Sequence, residues 1–219
     1  MRFGVLGTGM VGQTLAGKLV SLGHEVTMGS RQAGNEKAVA WANEAGDAGR
    51  EGTFADAARF GEVVVNATAG AASLDALDAA GADNLSGKVL IDVSNPLDFS
   101  DGPPPKLTVC NTDSMGEQIQ RAYPEAKVVK TLNTVNAGLM VAPASISERH
   151  TVFVCGNDDD AKGQVRDLLV SFGWPTEDVL DLGDISAARG TEMYLPLWLR
   201  LASATGTWMV NVKVVKPEG

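Results

Sequence analysis

The residues of this 219-residue chain that most directly invite chemistry stand near its start. "GTGMVG" places glycines at 7, 9 and 12, with Thr8, Met10 and Val11 between them, directly after the apolar run "RFGVL". Each glycine has its own use in cradling a phosphorylated ligand. Gly7 permits a tight turn, Gly9 lets backbone approach a pyrophosphate, and Gly12 lets the following helix pack closely on the strand. The helix then opens with N–H groups that have no partner inside it and are free to receive phosphate oxygens. Where an NAD site carries an acid for the ribose 2′-hydroxyl, the sequence has Gly29, Ser30 and Arg31, with Lys37 following. A hydroxyl, a guanidinium and an ammonium there suit a 2′-phosphate, and so NADP(H) rather than NAD(H). The bland alternatives are a structural glycine turn and a solvated loop with an incidental Arg.

Three further clusters of small polar residues follow apolar runs: Asn66, Ala67 and Thr68; Ser94, Asn95 and Pro96; and Lys130, Thr131, Asn133, Thr134 and Asn136. Taken singly, each reads as readily as a helix cap or turn as it does a ligand contact. Their recurrence at one end of the expected sheet favours a shared pocket, because ligands of open α/β sheets lie beyond the carboxyl ends of the strands. Lys130 is the one ionisable side chain expected there, and with Asn133 it is a candidate for positioning a substrate. His24 is expected away from the crevice, and His150 at the opposite end of the sheet, so neither is assigned acid–base work. No clustered His, Cys or carboxylate pattern suggests a metal, and no G-x-S-x-G elbow suggests a hydrolase. A chain equipped this way aligns cofactors more than it shuttles protons, which is what hydride transfer between two redox rings asks of a protein.

Positioning these groups requires a parallel sheet, and the pattern supplies one. Short β-branched runs alternate with helical stretches: "RFGVLG", then a helix over about residues 10–22, "EVTMG", the helix "NEKAVAWANEAG", a short strand near "GTF", and the continuous runs "EVVVNA" and "KVLIDVS". Such unbroken apolar runs belong to strands covered on both faces. "NPLDFSDGPPPKL" is expected to be irregular; a helix over about residues 114–123, the strands "AKVVKTLN" and "HTVFVCG", and the helix "DDDAKGQVRDLLVSFG" follow. The expected fold is α/β, a Rossmann-type doubly wound, mostly parallel sheet over residues 1–183, with a small C-terminal helical cap over 184–219. The boundary also fits near His150. The apolar stretch "MYLPLWLRLASATGTWMVNVKVV" is broken by Pro196, Arg200, Asn211 and Lys213, so it reads as a helix buried on the body or on a second subunit rather than a membrane span.

The net charge of −9 repels nucleic acid and anionic membranes, so any bound phosphate needs a local site. Cys110 and Cys155 read as buried free thiols in a reducing compartment. With an N-terminus that runs at once into a strand, they point to a cytoplasmic protein.

"GTGMVGQTLA", "VTMGSRQ", "KVLIDVSNPL", "AKVVKTLNTVNA" and "VFVCGNDDDAK", in this order and spacing, resemble the NADPH-dependent reductases of the deazaflavin coenzyme F420. They also resemble the cytosolic reductase domain of the STEAP ferric reductases, which passes electrons from NADPH to a flavin. The likeness covers nearly the whole chain, including "DLGDISAARGTEMYLPLWL". It implies that Thr8, Gly9, Met10 and Val11 contact the pyrophosphate, that Ser30, Arg31 and Lys37 hold the 2′-phosphate, that Ala67 lies by the adenosine ribose, and that Asn95 and Pro96 lie nearer the nicotinamide. One position departs from the deazaflavin pattern: Asn133 and Asn136 stand where those enzymes carry a His and a Pro, and "VVKTLNTVNA" is closer to the ferric-reductase form. The expected activity is hydride transfer between NADP(H) and F420 or a related flavin, in a homodimer paired through the cap. An NADPH-dependent reductase of FMN, FAD or a small carbonyl or imine is the alternative enzyme, and a non-catalytic NADP(H) sensor the alternative from another class.

Overall fold

The computed structural model describes residues 1–217, so the last two residues of the expected cap lie outside them. The chain alternates as the pattern requires: β1 (Arg2–Leu6), α1 (Met10–Ser21), β2 (Glu25–Ser30), α2 (Glu36–Ala45), β3 (Gly49–Thr53), α3 (Phe54–Phe60) and β4 (Val63–Asn66). Next come α4 (Ser73–Ala80), the single turn α5 (Ala82–Leu85), β5 (Val89–Asp92), the two-residue strands β6 (Leu97–Asp98) and β7 (Lys106–Leu107), α6 (Met115–Ala122) and β8 (Lys127–Thr131). The last third holds α7 (Ala137–Val141), β9 (Val152–Gly156), α8 (Asp159–Phe172), β10 (Val179–Asp181), α9 (Ala188–Met193) and α10 (Leu195–Thr205).

Eight strands form one sheet in the order β10-β9-β8-β5-β4-β1-β2-β3. The six from β3 to β8 run parallel, in the doubly wound order that reverses direction between β1 and β4. The chain is therefore the expected Rossmann-type α/β protein. Alternate residues of the central strands feed opposite faces: Val63 and Val65 join the layer under α1, α2 and α8, while Val64 joins the layer under α3, α4 and α6. With both faces covered, every second residue is not polar, which is why these strands read as unbroken apolar runs.

Two local expectations need correction. The loop after β5 is not wholly irregular: Leu97 and Asp98 pair antiparallel with Leu107 and Lys106, closing a small hairpin around the prolines. Strand β9 runs antiparallel to β8, so its first residues lie at the carboxyl edge of the parallel strands. His150 therefore sits at that edge and not the opposite one, though strands away from the glycine turn. It is buried, with Nε2 3.0 Å from the Pro143 carbonyl and Nδ1 2.7 Å from the Asn211 amide.

Beyond Gly183 the chain forms α9 and α10 and then an extended tail. The tail returns to the sheet edge, where Thr151 N–H donates to the Val212 carbonyl at 2.8 Å and the Trp198 indole donates to the Val210 carbonyl at 3.0 Å. Among the described residues no helix is long and apolar enough to cross a membrane.

Candidate active site

The glycine turn owes its shape to what side chains would do to it. Gly7 has φ +118°, and a Cβ there would meet the Ala67 carbonyl at 2.6 Å; a Cβ on Gly12 would meet the Gly7 carbonyl at 2.2 Å. Both positions exclude any larger residue. Gly9 differs, since nothing lies within 4 Å of where its Cβ would stand. It is the N-cap of α1, no side chain caps that end, and no acid occupies the first turn. The start of a twelve-residue helix thus presents bare N–H groups and open approach to backbone, a cradle suited to a diphosphate.

This cradle is one end of a cleft of about 930 Å³ at the point where the strand order reverses. Gly7, Thr8 and Gly9 form its floor; Ser30, Arg31 and the loop to Asn35 form one wall; Phe54, Ala67, Thr68 and the Ala72–Ala79 stretch form the other. The β2 loop is built as a fixed feature. Glu51 of β3 accepts the Gly34 N–H at 2.9 Å, and Asn35 caps α2 by accepting from Lys37 and Ala38. Among the described residues Arg31 makes no salt bridge and no side-chain hydrogen bond, so its guanidinium is available to a ligand. Ser30 is less available than expected. It is buried, and its hydroxyl donates to the Gln32 carbonyl at 2.5 Å, so its proton already serves the loop.

Of the residues singled out in the sequence, the cleft brings together Gly7, Thr8, Gly9, Ser30, Arg31, Ala67 and Thr68. Gly12 packs beneath it, while Met10 is 74% exposed and lies outside its lining with Val11. Lys37 is exposed on the first turn of α2, also outside the lining. Asn95, Pro96 and Asn133 form a neighbouring cluster beyond the cleft. The Asn95 amide donates to the Asn133 carbonyl at 2.9 Å, and the Asn133 amide returns a bond to Asn95 Oδ1 at 3.0 Å. Leu132, with φ +61°, makes the turn between β8 and Asn133 in a conformation that is strained for a branched side chain.

Lys130 is corrected outright as a substrate-positioning group. Its side chain is 0% exposed and its ammonium contacts Asp92, the Ser94 carbonyl and Glu192. Burial alone would lower its pKa, but the two carboxylates outweigh burial and hold it above its ordinary value. An ammonium with three buried acceptors has no proton to offer a substrate. The reading of both cysteines as buried is also corrected: Cys110 is exposed, and only Cys155 is buried.

Two lining or loop-holding acids escaped the sequence reading. Asp75 lines the cleft from α4, and Glu51 pins the loop from β3. Asp75 sits in a helix whose lining neighbours are alanines, a pattern with no motif to mark it. Glu51 directly precedes the "GTF" at which a short strand is expected, and no motif marks it. Among the described residues no group of three or more His, Cys, Asp or Glu is arranged to hold a metal.

Comparison with known proteins now bears on this geometry. The family model described as NADP oxidoreductase, coenzyme F420-dependent, matches residues 2–96, which run from β1 to Asn95 and Pro96 in the loop after β5. A crystal structure from Arthrobacter sp. FB24, of a protein provisionally named an F420-dependent NADP reductase, is 54% identical and superposes with a TM-score of 0.93 over 99% of this chain and 100% of that one. The F420-dependent NADP reductase of Methanocaldococcus jannaschii is 27% identical over 73% of this chain and 72% of its own length. Rat metalloreductase STEAP3 is 29% identical over 90% of this chain, and the match spans 38% of that longer protein.

Proposed function

The chain belongs to the F420-dependent NADP oxidoreductase family, and from that membership we propose that it transfers a hydride directly between NADP(H) and a deazaflavin of the F420 type or a related flavin. One observation carries the cofactor half of the reading: the cleft at the strand-order reversal joins an uncapped, glycine-lined helix start to an unpaired Arg31, at the position where an acid would select NAD. In this reading the α1 N–H groups hold the pyrophosphate through Thr8, Gly9, Met10 and Val11, and Arg31 holds the 2′-phosphate with Ser30 beside it and Lys37 at the rim. Ala67 borders the adenosine ribose. Asn95, Pro96 and Asn133 border the nicotinamide end, where the bound cofactor supplies the hydride.

The protein's contribution is then alignment, since no His, Cys, Lys or Tyr lines the cleft and the Lys130 ammonium is enclosed. Residues after Gly183 serve as the cap. The exposed apolar side chains of Leu197, Trp208, Val214 and Val215 support pairing of two copies through that segment, which sedimentation at increasing concentration tests. Rapid mixing of the protein and NADPH with oxidised F420, FMN or FAD, followed by absorbance, tests the reaction. Reduction of F420 is expected. A flavin-only response moves the acceptor to FMN or FAD, and no turnover with any acceptor leaves an NADP(H)-binding protein without this activity.

A further inference from the structure

A buried polar chain runs from the cleft wall to the C-terminal segment. Its centre is Lys130, whose ammonium donates to Asp92 Oδ2 at 2.8 Å and the Ser94 carbonyl at 2.7 Å and pairs with Glu192 Oε1 at 2.7 Å. The charged side chains are all 0–1% exposed. Towards the cleft, Asp92 Oδ1 accepts from the Asn66 amide at 2.9 Å, and Asn66 Oδ1 accepts from the Thr68 hydroxyl at 2.6 Å. Thr68 lines the cleft. At the far end the Glu192 carboxylate accepts the backbone N–H groups of Met115 at 2.8 Å and Gly116 at 3.0 Å.

Two carboxylates share one ammonium here, a costly arrangement to bury unless every member is held in place. An apolar trio would pack the same space without that cost, so a structural role alone does not call for charge. What the network adds is direction: hydrogen bonds fix the ends of β4, β5 and β8 relative to one another and to α9. It runs beside the apolar layer in which Val64 and Ala76, on either side of the turn at Asn66–Thr68, share a cluster with Ile185 and Ala188.

We propose that Glu192 is a positioning residue for the dinucleotide cleft, acting through Lys130, Asp92 and Asn66 to hold the wall at Thr68. The proposal rests on the NADP(H) reading of that cleft. Glu192 is not among the residues that line the cleft, and its polar partners are Lys130 and the α6 amides, so its effect on binding is indirect.

The test compares wild type, Glu192→Ala, Glu192→Gln, Asn66→Ala and the Asn66→Ala/Glu192→Ala pair. NADPH is titrated by fluorescence at a temperature where circular dichroism shows each protein folded. Glu192→Ala is expected to raise the Kd about tenfold. Glu192→Gln keeps an acceptor oxygen for the α6 amides and raises it less. The pair is expected to bind no more weakly than Asn66→Ala alone, because the path is already cut there. Independent, multiplying effects, or a Kd within about twofold of wild type for both Glu192 variants, would overturn the proposal. Hydrogen exchange of amides 66–72, read without ligand, is expected to quicken in the Glu192 variants, and unchanged exchange overturns the proposal whatever the cofactor. Should Glu192→Ala not fold, Glu192→Gln decides by both readouts. A wild-type protein that binds no NADPH refutes the cofactor reading, while exchange still judges the coupling.

Discussion

Replacing Arg31 by Ala tests the cofactor reading where it is most exposed. Arg31 lines the cleft without a protein partner among the described residues, so the substitution leaves no buried group unsatisfied and little effect on stability is expected. The loss is confined to what the guanidinium does for a ligand. A charge-assisted hydrogen bond contributes about 1.5–3 kcal/mol, and an exposed, solvent-screened guanidinium belongs at the lower end of that range. At about 1.4 kcal/mol per factor of ten, the Kd for NADPH should rise roughly ten- to thirtyfold. NADH has no 2′-phosphate, so its affinity should change by less than about twofold. Because Ser30 already donates to the Gln32 carbonyl, Ser30→Ala should cost NADPH less than Arg31→Ala does. The assay is paired fluorescence titration with NADPH and NADH at two salt concentrations, the NADPH difference shrinking at the higher one. If Arg31→Ala weakens both cofactors by the same factor, the loop is only a turn and the reasoning from the missing acid fails.

The glycines give a second contrast. Gly12→Ala drives a Cβ into the Gly7 carbonyl and should lower stability by about 1–3 kcal/mol in thermal or denaturant melts, whereas Gly9→Ala meets nothing in the protein and should leave the melt unchanged while weakening NADPH. Thiol chemistry should separate the cysteines: burial pushes the Cys155 thiol up to about 12, so a disulfide reagent at neutral pH should titrate only the exposed Cys110 in the native protein and both after denaturation. The Arg121 guanidinium, hydrogen-bonded to Asp113, holds that carboxyl down at about 2 from 3.8. A depressed carboxyl stabilises the fold above its unfolded value and loses that contribution as pH falls through the folded one. Because Arg121 is 60% exposed, the effect should be about 1 kcal/mol at neutral pH, fading between about pH 4 and 2, and Asp113→Asn should abolish that part of the pH dependence of the melt.

Much of this molecule was legible from local pattern because local pattern carries it. The glycine spacing, the β-branched runs and the Ser-Arg end of β2 are properties of a few neighbouring residues, and they led to the sheet, the reversal point and the cleft. Where a partner far along the chain sets the outcome, local pattern failed. Lys130 read as a free strand-end amine because nothing near it in sequence announces Glu192, which arrives from α9. Cys110 read as buried because its apolar neighbours gave no sign that the segment around it would lie open. β9 read as one more strand, since hydrophobic runs do not encode direction.

By itself, then, the sequence determined the fold class and the place of the cleft, through residue types that permit only certain backbone shapes and certain hydrogen bonds. A glycine that can take the φ of +118° found at Gly7 is a property of the residue type, readable before the rest of the chain is placed. The tertiary structure alone decided which polar groups remain free. Burial and partnering depend on distant segments meeting, so only the assembled chain could enclose Lys130 between Asp92 and Glu192, commit the Ser30 hydroxyl to Gln32 and leave Arg31 open at the cleft.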